Sequence, residues 1–388
     1  MEELVVPKGY PLEAYEVTTE DGYILALYRI PHGRYRNTQR GPKPIVFLQH
    51  GVTLASSSFV VLNANESLAF VLADAGFDVW MGNTRGNVYS SGHVTLSRFE
   101  DEFWQFGIDQ LALIDLPTKI DFILAKTGAT KMAFVGHSQG CTLAFMLLSA
   151  IPEYNDKISV VNHMGPVVFV DELVAPFLRL APSINLDQVL TVLNIPEFLP
   201  LRLTAPVIQN LCDTYPQDEI CAALVSFFFF GPSQYITPDD YLVIWRTWPS
   251  GVSTRNLQHW AQMFRDRRLE LTAFDYGDLC NRTKWIPGQG LQPHPMKESC
   301  NLAEYGTERP PAYDITRIRT PMAFFLAEYD VLTVSQDVAE QYRRLPNNVT
   351  VAEFIYAGYG HMDFVWDRNR RHAADIADVM WRYAPGTY

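Results

Sequence analysis

The chain has 388 residues, 48% hydrophobic and 19% charged, which leaves room for a large packed core and excludes a disordered protein. Its formal net charge of −12 excludes a nucleic-acid binder, whose partner's phosphates demand a basic surface. The same charge leaves any contact with a lipid surface to apolar attraction rather than to electrostatic docking.

In chain order, the first elements are a hairpin: Tyr15 to Thr19, a turn at Asp21-Gly22, then Tyr23 to Ile30. Short apolar strands then alternate with helices. Ile45 to Leu48 is a buried strand ending in Gln49-His50-Gly51, and Ser67 to Ala75 is a helix stopped by Gly76. Phe77 to Met81 is the next strand, Gln110 to Leu124 has helical spacing, and Lys131 to Val135 runs straight into Gly136. A helix from Cys141 to Ala150 and a strand around Ile158 to Val161 follow. The alternation breaks near Gly165 and resumes as strand Met322 to Leu326, helix Ser335 to Arg344, strand Val349 to Ile355 and helix Arg370 to Tyr383. This pattern predicts an α/β protein with a mostly parallel sheet covered on both faces by helices.

The interruption divides the chain into a first core part (1–168), a helical cap and lid insertion (169–276), a loop excursion (277–312) and a second core part (313–388). The insertion carries many prolines, the run Phe227 to Phe230, and Trp245 and Trp248. The longest uncharged apolar stretch, Cys221 to Phe230, has about half the ~20 residues of a spanning helix, so no transmembrane segment is expected. Met1-Glu2-Glu3-Leu4 lacks the basic start and apolar core of a signal peptide, so the chain reads as a mature or an intracellular form. Cys212 and Cys221 bracket a short polar stretch, and Cys280 and Cys300 bracket a Pro- and Gly-rich one; two local disulfides with Cys141 left over is the natural pairing. Sequons at Asn65, Asn281 and Asn348 point, with the disulfides, to a secreted or endolysosomal protein.

The chemistry centres on Gly136-His137-Ser138-Gln139-Gly140. A Gly-x-Ser-x-Gly between a strand and a helix is a nucleophile elbow, the mark of an α/β-hydrolase fold. Ser138 is then the nucleophile, and Gly136 and Gly140 allow the sharp turn. His137, adjacent on that turn, is expected to point away from the serine. A base is expected late in the chain, after an acid. Of the two histidines beyond position 320, His361 follows a strand on a loop, whereas His372 lies within the terminal helix and is expected on the surface. Asp330, just past the strand Met322 to Leu326, is the acid. Glu328 lies too near the strand, Asp337 falls inside the next helix, and Asp363 and Asp367 are local to His361. The backbone N–H of Gln139 and that of Val52, after Gln49-His50-Gly51, are the expected oxyanion donors. No metal-ligand spacing, phosphate loop or dinucleotide motif is present, so no metal or cofactor is expected.

Beyond the elbow, Asp21-Gly22-Tyr23-Ile24-Leu25, Leu48-Gln49-His50-Gly51, Leu72 to Trp80, Gly82-Asn83-Thr84-Arg85-Gly86 and Tyr359-Gly360-His361-Met362-Asp363-Phe364 resemble the acid lipase family, from about residue 9 to the C-terminus. The resemblance implies Ser138 as nucleophile, Asp330 as acid, His361 as base, and Val52 and Gln139 at the oxyanion hole. It also implies a Cys212–Cys221 bridge beside a mobile lid, and hydrolysis of triacylglycerol or cholesteryl ester at a lipid–water interface. Val52-Thr53 stands where many members have two leucines. A soluble carboxylesterase or acyltransferase with the same triad, and a non-catalytic lipid-binding protein, are the competing readings.

Overall fold

The computed structural model describes residues 1–35, 38, 41–277, 283–286, 290–293 and 299–384. Its frame is one mixed sheet of β1 (Glu13–Thr18), β2 (Tyr23–Ile30), β3 (Ile45–Gln49), β4 (Asp78–Gly82), β5 (Met132–His137), β6 (Ile158–Met164), β7 (Met322–Ala327) and β8 (Thr350–Tyr356). They lie in the order β1-β2-β4-β3-β5-β6-β7-β8, with Gly92–His93 paired onto β2. The first two junctions are antiparallel; from β4 to β8 every junction is parallel. Between the strands lie α1 (Leu68–Asp74), α2 (Leu116–Thr127) and α3 (Gln139–Ala150). The long connection from β6 to β7 carries α4 (Pro176–Ser183), α5 (Leu186–Val192), α6 (Leu201–Cys212), α7 (Gln217–Val225), α8 (Pro238–Ile244) and α9 (Thr254–Asp266). The core closes with α10 (Ser335–Arg344) and α11 (Arg371–Tyr383).

Every residue of β3, β4 and β5 is buried, as strands covered on both faces must be. The pleat sends alternate side chains to opposite layers. Val46 and Leu48 join one apolar cluster with α1 and α11, while Ile45 and Phe47 join another with α2 and α3. The sequence pattern at 110–124 is a broken helix: a π turn, Leu111–Asp115, precedes α2. It sets buried Asp115 against Arg85, whose Nε donates to the carboxylate over 2.7 Å. Within 277–312, Thr283–Ile286 and Gly290–Pro293 form an antiparallel pair, and a short helix follows at Cys300–Tyr305. Among the described residues no helix is long and apolar enough to cross a membrane.

Because β3 to β8 run parallel, their carboxyl ends share one edge of the sheet. The loops there begin at His50, Asn83, Ser138, Gly165, Glu328 and Ala357. Parallel sheets concentrate binding and chemistry at that edge.

Candidate active site

β5 ends at His137, and Ser138 turns the chain with φ 54 and ψ −122 before α3 starts at Gln139. A side-chain-bearing residue in this region is strained and needs room made for it. Glycines make that room. A Cβ on Gly136 would lie 2.8 Å from the Cys141 nitrogen, one on Gly51 would lie 2.7 Å from Ser138 Cβ, and one on Gly140 would overlap the Gln49 carbonyl. The Ser138 N–H donates to the Met164 carbonyl at 3.0 Å, tying the elbow to the end of β6. Ser138 itself is buried.

His361 and Asp330, from loops after β8 and β7, meet over 2.7 Å through Nδ1 and Oδ2. The other Asp330 oxygen accepts the Leu332 and Thr333 N–H groups at 2.8 and 2.9 Å. Burial alone would raise the Asp330 pKa. The facing His361 and these donors outweigh it and hold the carboxyl below its usual range. The His361 ring packs on the bare Cα of Gly165, one residue past the carbonyl that anchors Ser138. Its Nε2 is buried and has no hydrogen-bond partner among the described residues, so the link to Ser138 is not closed in this structure.

His137 is engaged elsewhere, with Nε2 3.0 Å from the His361 carbonyl, where it braces the His361 loop. Burial drops its pKa to about 3, so it is a neutral donor there. His372 corrects an expectation: it is buried, not on the surface. It lies on the same inward stripe of α11 as Ile376 and Met380, with Nδ1 3.3 Å from the Tyr359 hydroxyl. The alternatives to Asp330 are engaged elsewhere. Glu328 accepts from Gly358 N–H, Asp363 from Gly360 N–H and the Ser233 hydroxyl, and Asp367 from the Tyr359 hydroxyl. Asp337 lies in α10.

The expected oxyanion donors lie at the start of α3 and in the loop after β3. Gln139 is the first residue of α3, where an N–H has no partner within the helix. Val52 lies between Gly51 and Thr53. Behind it, buried His50 sets its Nδ1 2.8 Å from the Gly51 carbonyl and its Nε2 within reach of the Thr84 N–H and the Asn87 amide. Nε2 faces two donors, so the proton sits on Nδ1; burial lowers the pKa to about 3 and keeps the ring neutral. Buried Lys119 reaches the Gln49 side chain at 2.7 Å and the Asn83 carbonyl at 3.2 Å. The sequence offered no signal for this support, nor for three contacts from the insertion: Trp248 on Thr53, Trp260 on Gln139 and Phe230 on His361. Among the described residues no cluster of three or more His, Cys, Asp or Glu is placed to hold a metal ion.

Cys212 and Cys221 form a disulfide joining the end of α6 to α7, and Cys141 is a buried thiol. Cys280 and Asn281 lie outside the described residues, and with them the expected second bridge to Cys300. Asn65 and Asn348 are exposed.

Residues 1–63 match the family described as the partial alpha/beta-hydrolase lipase region, and residues 44–206 match the alpha/beta hydrolase fold. The chain is 36% identical to the lysosomal acid lipase/cholesteryl ester hydrolase of Homo sapiens, across 98% of this chain and 90% of that protein. It is 35% identical to the gastric triacylglycerol lipase of Mus musculus, across 92% and 85%. Among solved structures, a soluble variant of the monoglyceride lipase of Saccharomyces cerevisiae superposes with a TM-score of 0.53 at 12% identity, covering 96% of this chain and 97% of that one. A thermophilic esterase from Thermogutta terrifontis does so with 0.51 at 12%, covering 96% and 99%. At such identities the structures speak for the fold alone. Near-full-length identity above one third speaks for more: this chain belongs to the acid lipase family of α/β-hydrolases.

Proposed function

We propose that the protein hydrolyses the ester bonds of neutral lipids, triacylglycerol first and cholesteryl ester second, through an acyl-enzyme on Ser138. The observation that carries the reading is the buried Asp330–His361 pair beside a strained, glycine-cleared Ser138. Ser138 Oγ attacks the ester carbonyl while His361 Nε2 takes its proton, and Asp330 stabilises the imidazolium that forms. The Val52 and Gln139 N–H groups receive the alkoxide. The protonated His361 then gives its proton to the leaving alcohol. Water, deprotonated in turn by His361, releases the fatty acid.

A lipid rather than a small soluble ester is supported by the insertion. Of the 24 exposed large hydrophobic side chains among the described residues, 16 fall within 169–276, including Leu180, Val192, Leu203 and Phe227. So dense an apolar surface suits contact with a lipid–water interface. The relatives named above as lipases support the same substrate class, and a secreted or endolysosomal setting.

The test is a substrate panel on wild type and Ser138→Ala across pH. Emulsified long-chain triglyceride and cholesteryl ester are compared with short soluble esters. Turnover of the emulsions, lost in Ser138→Ala, is the expected result. Turnover confined to short esters, without stimulation by an interface, would point to a soluble carboxylesterase instead.

A further inference from the structure

Thr53 is the third residue of a tight turn closed by the Leu54 N–H on the Gly51 carbonyl at 3.3 Å, and it takes there a backbone conformation that is costly for its residue type. Its φ of 58 lies in the left-handed region, which a β-branched residue rarely adopts. Such a residue persists only where its surroundings impose the geometry. Here the turn and the insertion together hold it. The Trp248 indole N–H donates to the Thr53 hydroxyl over 3.1 Å, and the Ser250 N–H donates to the Thr53 carbonyl over 2.7 Å. At the other donor, the Trp260 indole N–H donates to Gln139 Oε1 over 2.7 Å. The Trp248 ring also packs 5.6 Å from that of Phe230, whose carbonyl accepts the His361 N–H at 2.9 Å.

We propose that Thr53, Trp248 and Trp260 are positioning residues for the oxyanion site, so that the insertion aims both donors. The proposal rests on the hydrolase reading above, in which Val52 and Gln139 supply the N–H groups. Val52 directly precedes Thr53. Relaxation of Thr53 to a negative φ would rotate the Val52–Thr53 peptide, which carries the Val52 carbonyl and the Thr53 N–H. The Val52 φ and ψ would then have to readjust, and with them the aim of its N–H in the preceding peptide. Pinning Thr53 through both its hydroxyl and its carbonyl removes that freedom before substrate arrives. Donors fixed in advance need no reorganisation as the alkoxide forms. They act on charge present only in the transition state, so loosening them lowers kcat and leaves KM alone.

The experiment uses the full chain and a short soluble p-nitrophenyl ester, which keeps the lipid interface out of the readout. Thr53→Val keeps the branched shape and removes the hydroxyl; Trp248→Phe keeps a ring and removes the N–H. Each is expected to lower kcat about tenfold, less than the ~10²–10³ cost of deleting an oxyanion donor, with KM within about twofold. Because the two share one contact, the double variant should be no slower than the worse single one. Thr53→Ser should recover most of the lost kcat, and Trp260→Phe should multiply with Thr53→Val because it acts on the other donor. Unchanged kcat in Thr53→Val and Trp248→Phe, a loss carried by KM, or multiplying effects in their double variant would overturn the proposal. A wild type that neither turns over the ester nor labels at Ser138 with a fluorophosphonate overturns the hydrolase reading instead.

Discussion

The central sheet and the insertion are both rich in apolar residues, but they dispose of them differently. In β3, β4 and β5 every side chain is buried. In the insertion Val192 is 85% exposed and Leu203 62% exposed. The Phe227 to Phe230 run shows both behaviours within four residues. Phe227 and Phe228 face solvent, whereas Phe230 packs its ring on Trp248 and Trp366. The sheet spends its hydrophobicity on holding the strand ends still. The insertion uses part of its own to grip those strand ends and leaves the rest available to a lipid.

The sharpest way to break this contrast is at the strand ends. Asp330→Asn should keep the fold and lower kcat by about 10⁴-fold, because the amide no longer holds His361 in the required tautomer. Ester turnover beside circular dichroism reads both halves of that statement. Gly140→Ala comes next. The added methyl overlaps the Gln49 carbonyl, so thermal unfolding should show a loss of about 1–3 kcal/mol together with weakened activity. A substitution that left both unchanged would mean the elbow is looser than its packing.

In the insertion the same kinds of change should act differently. Cys212→Ser opens a bridge between residues nine apart, and loops of that order carry about 2–3 kcal/mol. The loss should appear as faster proteolysis between α6 and α7, with the sheet's unfolding little changed. Val192→Ser and Leu203→Ser remove exposed apolar surface, so stability should move by no more than ~0.5 kcal/mol. Hydrolysis of emulsified triglyceride should fall while that of a soluble ester holds. Equal losses on both substrates would remove the insertion's surface from the lipid-contact reading.

The same contrast explains what could be read from the sequence. The buried strands and the elbow were legible because local pattern and tertiary environment agree there: short apolar runs between helices, and glycines wherever a Cβ would collide. Asp330 and His361 were legible from their places just past strands, which parallel topology brings to one edge. His372 misled because flanking arginines suggest a surface, while helical periodicity places it in line with Ile376 and Met380 on the buried stripe. The Trp248–Thr53 contact was out of reach. It joins residues 195 apart, and no period or spacing encodes which loop an insertion will touch.

One buried group tests the sheet's side of the comparison by pH. His163 on β6 packs against a tilted Phe145 ring and a stacked Phe324 ring, and neither of its ring nitrogens has a hydrogen-bond partner among the described residues. Burial lowers its pKa from 6.5 to about 3, so the folded protein keeps it neutral while the unfolded chain protonates it. A depressed pKa of this kind contributes stability that is present above pH 6.5 and is lost as pH falls toward about 3. Asp363 and Asp337 act with the opposite sign. Burial raises them to about 7 and about 6, so their contribution is present at low pH and lost as pH rises through those values. His163→Leu removes one titrating site, gives up no hydrogen bond and nearly conserves volume. Its melting temperature should match wild type near pH 7.5 and rise above it progressively below pH 6.5. A constant offset across that range would mean that His163 is not held neutral by the fold, and that the apolar layer between α3 and the sheet admits water.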